Sequence, residues 1–183
     1  IDHNAQQFKK LFERFLPFDD EWKYEGNQGV MVPGHENKKP DPGKAISVNN
    51  ADWLRNLDFM EFSREISVHF NVNEMLRADC YKNRMADGLT FLEFSYMLMQ
   101  AYDFYVMARD FGLKAQFGGN DQWSNIIAGS HLAKKRDNLD TFGMTFSLLT
   151  KSDGTKMGKT SGGALWLNED SVSVYDFFQY WRK

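Results

Sequence analysis

The stretch that constrains this chain most is Thr90 to Asp110, which is apolar on nearly every side when wound as a helix. Thr90 stands three residues ahead of Glu93, the spacing of a capping box that opens a helix. A helix apolar nearly all round has little to offer water and belongs in the interior of its domain. Its polar exceptions therefore need a reason. Tyr96, Gln100 and Asp103 are spaced i, i+4, i+7 and share one helical face. Buried without partners, such groups cost stability. On the residues alone two readings stay open: a small structural network, or the lining of a polar pocket.

The rest of the chain divides around this helix. Phe8, Leu11, Phe12 and Phe15 predict one face of a helix of about three turns, with Asn4 as a candidate cap. All four prolines fall between positions 17 and 42, among several glycines, which predicts a long loop over 17–44. Ala45 to Val48 reads as a short strand. Phe59, Phe62 and Ile66 mark a helix after Asp58, and another short helix is expected over 73–85. Leu113 to Phe117 reads as a buried strand ending in Gly118-Gly119, with a helix starting near Asp121. Phe142 to Leu149 reads as a second strand, followed by a polar loop from Thr150 to Gly163. Leu165 to Leu167 is a third apolar stretch, and Ser173 with Asp176 opens a final amphipathic helix. Strand, helix and strand with glycine-rich turns predict an α/β architecture with a parallel sheet. The expected organisation is a mainly helical part over 1–111 and a second part over 112–183.

Bulk properties narrow the function. At 183 residues with 42% hydrophobic content, the chain can build one real core. A net charge of -3 excludes a global basic field, so any RNA contact needs a local basic patch. Cys80 is the only cysteine, which excludes a disulfide framework and favours a reducing compartment. His3, His35, His69 and His131 lack metal-ligand spacing, and no metal site is expected. No apolar run approaches the roughly 18 residues of a membrane span, and no signal peptide is read. The first residue is Ile1, and an upstream continuation is expected.

Three further segments carry candidate chemistry. In Gln116 to Trp123, glycines at a strand's carboxyl end precede a helix start, as in the ligand crevice of an open α/β sheet. There Gly119 lets a ligand approach the backbone, Asp121 can accept from ribose hydroxyls, and Gln122 can reach an ester or phosphate; a plain turn capped by Asp121 has the same look. On the glycine-rich loop 151–163, Lys156 and Lys159 lie three apart and can converge on a polyanion, although lysine-rich loops are commonly just solvated. Lys134-Lys135-Arg136 is either a solvated helix end, favourable to the helix dipole, or a contact for RNA phosphates.

Taken together, these segments resemble the tyrosyl-tRNA synthetases of bacterial type, class I aminoacyl-tRNA synthetases. Gly-Gly-Asn-Asp-Gln-Trp-Ser-Asn-Ile at 118–126, then Lys-Met-Gly-Lys-Thr at 156–160, is similar to the family's pair of signatures; the second is its variant of KMSKS. The helix from Tyr96 through Gln100 to Asp103 resembles the family's tyrosine-pocket helix. Asn49 to Trp53 and Tyr175 to Trp181 also read like family segments, and the likeness spans all but roughly 19–44. It implies part of a Rossmann-like catalytic domain that activates L-tyrosine with ATP, Mg2+ accompanying the ATP, and transfers it to tRNA(Tyr). It implies that Asp103 accepts from the substrate phenol, that Tyr96 and Gln100 hold its ammonium, and that Gln122 sits near the reacting carboxylate. Asn50 and Trp53 would support the pocket. Gly119 and Asp121 would bind the ribose, while Lys156, Lys159 and Thr160 would engage the pyrophosphate. Lys134 and Lys135 would meet the tRNA acceptor arm, and the region near Phe91 would form a homodimer interface. The cytoplasm is the implied compartment, with organelles open.

The departures shape the alternatives. The family's HIGH signature and its anticodon-reading part are not in these 183 residues, Gly158 replaces a serine, and Val174 stands where proline is common. Half a nucleotide-binding fold also exposes a strand edge. A tryptophanyl-tRNA synthetase shares the fold but needs no carboxylate to read a phenol. A non-catalytic RNA-binding or interaction module from a truncated gene is the reading from another class.

Overall fold

The computed structural model describes residues 2–24, 41–150 and 165–182. The Lys156, Lys159 and Thr160 expectations lie outside these residues. Helix α1 is Asp2–Phe12, followed by α2 Ala51–Leu54, α3 Phe59–Glu65, α4 Val72–Met75, α5 Asp79–Met85 and α6 Phe91–Phe111. Strand β1 is Ala115–Gly119, α7 is Trp123–Asp137, β2 is Phe142–Phe146 and α8 is Val174–Arg182. Two compact units result. One takes its described residues from Ile1–Trp22, Pro40–Ser47 and Leu148–Lys183, the other from Lys23–Lys39 and Val48–Ser147.

The larger unit is built on α6. Its capping box is present: Thr90 Oγ1 accepts from the Glu93 N–H at 3.3 Å, and Glu93 Oε2 accepts from the Thr90 N–H at 3.0 Å. The helix ends at Gly112, which adopts the left-handed conformation that favours glycine (φ 67°). From Met97 onward α6 is mostly buried, with Tyr102, Phe104, Tyr105 and Val106 at its centre. Its first turn is not: Phe91 and Leu92 stay more than two-thirds exposed. Around α6 gather Trp53, Ile66, Met75, Tyr81, Leu132 and Ala133, one continuous core.

β1, α7 and β2 form a strand–helix–strand unit, and the strands pair in parallel from Ala115↔Phe142 to Gly119↔Phe146. The α/β expectation holds in this Rossmann-like parallel pair. Two glycines set how closely α7 lies on it. A Cβ on Gly143 would stand 2.5 Å from Ile126 Cγ2, and one on Gly118 would stand 3.0 Å from Ile126 Cδ1. A third, Gly129, faces Phe104 of α6, where a Cβ would come within 2.8 Å. The glycines thus clamp α7 between the sheet and α6, and side chains there would have to displace packed neighbours.

In the smaller unit, α8 opens as expected: Ser173 Oγ accepts from the Asp176 N–H at 3.1 Å and donates to Asp176 Oδ2 at 2.7 Å. Arg14 follows α1 and reaches Glu169 at 3.2 Å. Several local expectations need correction. Asn4 lies inside α1 instead of capping it, because the helix already runs from Asp2, and Phe15 falls beyond its end. Ala45 to Val48 forms no strand; only Ala45 bridges, in parallel, to Phe18. The 73–85 segment is two helices, α4 and α5, not one. β1 starts at Ala115, not Leu113, and β2 ends at Phe146, where its five-residue partner ends.

Candidate active site

The polar face of α6 divides into two hydrogen-bonded groups. In the first, Asp103 is partly buried and accepts two bonds: from Trp53 Nε1 to its Oδ1 at 2.7 Å, and from Asn50 Nδ2 to its Oδ2 at 3.0 Å. Both donors come from the segment around α2. Trp53 is buried, only 4% exposed, so its indole is a fixed donor. Burial pushes the Asp103 carboxyl above its ordinary 3.8, and the bonds from Asn50 and Trp53 oppose that rise. Each carboxylate oxygen keeps acceptor capacity beyond one bond, so Asp103 can take a further donor from a ligand.

In the second group, Gln100 Nε2 donates to Gln122 Oε1 at 3.4 Å, and Gln122 Nε2 donates to Asp121 Oδ2 at 3.1 Å. Gln122 closes a single helical turn, Asn120–Gln122, that follows directly on β1. Gly119, the last residue of β1, pairs with Phe146 and is extended, so its glycine answers no backbone strain. The structure therefore brings Asn50, Trp53 and Asp103 together, and Gln100, Gln122 and Asp121 together, with α6 joining the groups through positions 100 and 103. Tyr96 lies one turn earlier and is 59% exposed, at a surface pocket of about 390 Å³ shared with Tyr81, Arg84 and Asn125.

Lys134 and Lys135 are not part of this assembly. They sit in the last turn of α7, about 20 Å of helix from Gln122 at 1.5 Å per residue. Lys134 pairs with Asp140 at 2.8 Å and Lys135 donates to the His69 carbonyl at 3.0 Å; both side chains remain exposed. Phe91, Leu92 and Phe59 stand exposed beside an apolar pocket of about 500 Å³ lined also by Leu57, Phe62 and Val72. Among the described residues no group of three His, Cys, Asp or Glu is placed to hold a metal ion. Among them, too, no helix is long and apolar enough to cross a membrane.

Asn125 is a member the sequence reading passed over: its Nδ2 donates to Gln122 Oε1 at 3.4 Å. Its spacing of three from Gln122, on one helical face, is the signal that could have found it.

A half-buried carboxylate held by two donors, beside a glycine-ended parallel strand leading into a helix, is an arrangement that can take a small polar ligand. The family model described as tRNA synthetases class I (W and Y) matches residues 4–183, and the chain belongs to this family. It is 54% identical over 182 residues to the protein of Clostridium kluyveri named Tyrosine--tRNA ligase, covering 100% of this chain and 39% of that one. The protein of the same name from Lachnoclostridium phytofermentans is 52% identical over the same shares. Among solved structures, the C-terminally truncated mitochondrial tyrosyl-tRNA synthetase of Coccidioides posadasii superposes with a TM-score of 0.66 at 25% identity, over 96% of this chain and 48% of that one. The Aspergillus nidulans counterpart gives 0.65 at 25% identity, over 96% and 47%. The chain thus spans 39% of the length of the curated relatives it matches.

Proposed function

We propose that this chain is the tyrosine-reading part of a tyrosine–tRNA ligase, which activates L-tyrosine with ATP to tyrosyl-adenylate and transfers it to tRNA(Tyr). The observation that carries this reading is Asp103, poised by Asn50 and Trp53 to accept one more hydrogen bond. The donor it fits is the substrate phenol. Tyrosine would be held further by Tyr96 and Gln100 at its ammonium and by Gln122 at its carboxylate, with Asn50 acting through Asp103. Gly119 and Asp121 would take the ribose of ATP. The carboxylate then attacks the α-phosphate in line: the new C–O–P bond forms as the bond to pyrophosphate breaks. No covalent enzyme intermediate is needed, so catalysis is positioning and charge stabilisation. Lys156 and Lys159 would set positive charge against the leaving pyrophosphate, Thr160 would offer it a hydroxyl, and Mg2+ would arrive with the ATP.

Lys134 and Lys135 would exchange their present partners for phosphates of the tRNA acceptor arm. The exposed apolar surface around Phe91 would be covered by a second copy of the chain; a monomeric full chain in sedimentation would remove that partner. The cytoplasm is the compartment we assign.

The test is the charging of tRNA(Tyr) with labelled tyrosine by the full chain. Charging is expected, and failure with tyrosine under conditions that charge another amino acid would end the reading. Lys156→Ala is expected to slow adenylate formation by about two orders of magnitude, the cost of removing one transition-state charge contact. Its tyrosine Kd should stay within about twofold, because the lysine meets pyrophosphate, not tyrosine. A rate loss matched by an equal loss of tyrosine affinity would take the lysine out of that role.

The raised Asp103 carboxyl sets a pH dependence. Tyrosine affinity should weaken as pH falls through a value above 3.8, because the protonated group loses the charge that strengthens its bond to the phenol. The stability effect has the opposite sense. The folded state binds this proton more tightly than the unfolded state, so the contribution is full below 3.8 and is lost as pH rises through the raised value. Denaturant midpoints of the wild type and Asp103→Asn should converge toward acid and separate, with the wild type lower, above that window.

A further inference from the structure

Trp53 holds Asp103, and a second buried group holds Trp53. The Asp110 side chain is fully buried and its Arg109 partner is 8% exposed. Asp110 accepts from Arg109 Nε at 2.5 Å and Nη2 at 3.0 Å, and from the Tyr24 hydroxyl at 2.8 Å. That third bond spans 86 residues of sequence and pins the far end of the Tyr24 ring. The ring stacks on Phe111, with centroids 5.3 Å apart and planes at 27°. It also meets Trp53 edge-on, at 5.5 Å and 80°. A phenylalanine at position 24 would supply the same two ring contacts. What the hydroxyl adds is a fixed position for the ring, set by a buried ion pair that cannot move without losing partners. The fixed ring in turn limits the indole whose N–H meets Asp103 Oδ1. The other donor to Asp103, Asn50, is exposed and less constrained.

We propose that Tyr24 is a positioning residue for substrate selection: through Trp53 it fixes the orientation of Asp103 and so sets how strictly a phenol is preferred to a plain phenyl ring. The inference rests on Asp103 reading the substrate phenol. It assigns Tyr24 no contact with substrate. Specificity of this kind depends on the buried acceptor being held where only the correct donor satisfies it, so loosening its support relaxes discrimination before it abolishes turnover.

Tyr24→Phe in the full chain removes only the hydroxyl. With rates normalised to active sites by the adenylate burst, the tyrosine-over-phenylalanine ratio of kcat/KM is expected to fall about three- to tenfold, the scale of one lost hydrogen bond. The fall should come mainly from KM for tyrosine, with KM for ATP unchanged. Tyr24→Ala should lower the ratio further. The indole N–H resonance of Trp53, assigned with Trp53→Phe, should shift in Tyr24→Phe in the same direction as in Asp103→Asn. An unchanged ratio overturns the proposal, whether the resonance moves or only the active fraction drops. An unmoved resonance overturns it as well, because the path through Trp53 is then absent. A wild-type chain with no preference for tyrosine would instead overturn the reading of Asp103, and the proposal with it.

Discussion

Replacing Asp103 with alanine is expected to lower tyrosine-dependent ATP–pyrophosphate exchange about 10²- to 10⁴-fold. The size follows from two losses. A hydrogen bond to a charged acceptor contributes about 1.5–3 kcal/mol, and a phenol left unpaired on burial costs about 1–3 kcal/mol more. Trp53 Nε1 and Asn50 Nδ2 also lose their acceptor, and Trp53 is too buried to find water easily. The same change should erase most of the preference for tyrosine over phenylalanine, since phenylalanine never engaged the carboxylate. KM for ATP should move little, because Asp103 belongs with Asn50 and Trp53 and not with the Asp121–Gln122 group. Unchanged exchange with tyrosine would remove Asp103 from the pocket.

The largest stability effect is expected at Asp110. Removing one member of a buried ion pair leaves the other charged and unsolvated, which costs about 3–5 kcal/mol. Asp110→Ala would do this to Arg109, whose Nη1 already lacks a partner among the described residues. It would also strip the acceptor from the Tyr24 hydroxyl. Removing both charges, with Arg109→Met and Asp110→Leu together, should cost less than Asp110→Ala alone, because no unpaired charge remains. Chemical denaturation of the three proteins decides this. Equal midpoints for Asp110→Ala and wild type would mean that the pair contributes no net stability.

Local signals made parts of the fold legible. The capping boxes at Thr90 and Ser173 and the cap at Asp58 each rest on a few neighbouring residues, and the helices begin where those residues place them. Boundaries set by tertiary pairing were not legible. Leu113 looks like strand, but its N–H bonds the Met107 carbonyl and completes the end of α6. Leu148 and Leu149 look like strand as well, yet β2 ends at Phe146, opposite the last residue of β1, Gly119. Leu76 to Ala78 interrupt the 73–85 helix through turn-type backbone bonds that periodicity does not encode. At the site, Gln100 and Asp103 were visible because, with Tyr96, they put polar groups on one face of an apolar helix. Their division into two hydrogen-bonded groups was not, since Asn50, Trp53 and Gln122 reach α6 from separate parts of the chain. Tyr24 gave no signal at all: its partners lie 29 to 87 positions away, and only the folded chain joins them.

The most direct test is ATP–pyrophosphate exchange by the full chain with tyrosine, phenylalanine and tryptophan measured side by side. A carboxylate held at the phenol position predicts exchange with tyrosine, at least about a hundredfold slower exchange with phenylalanine, and none with tryptophan. Exchange driven by tryptophan, or equal rates with tyrosine and phenylalanine, would contradict the account at Asp103.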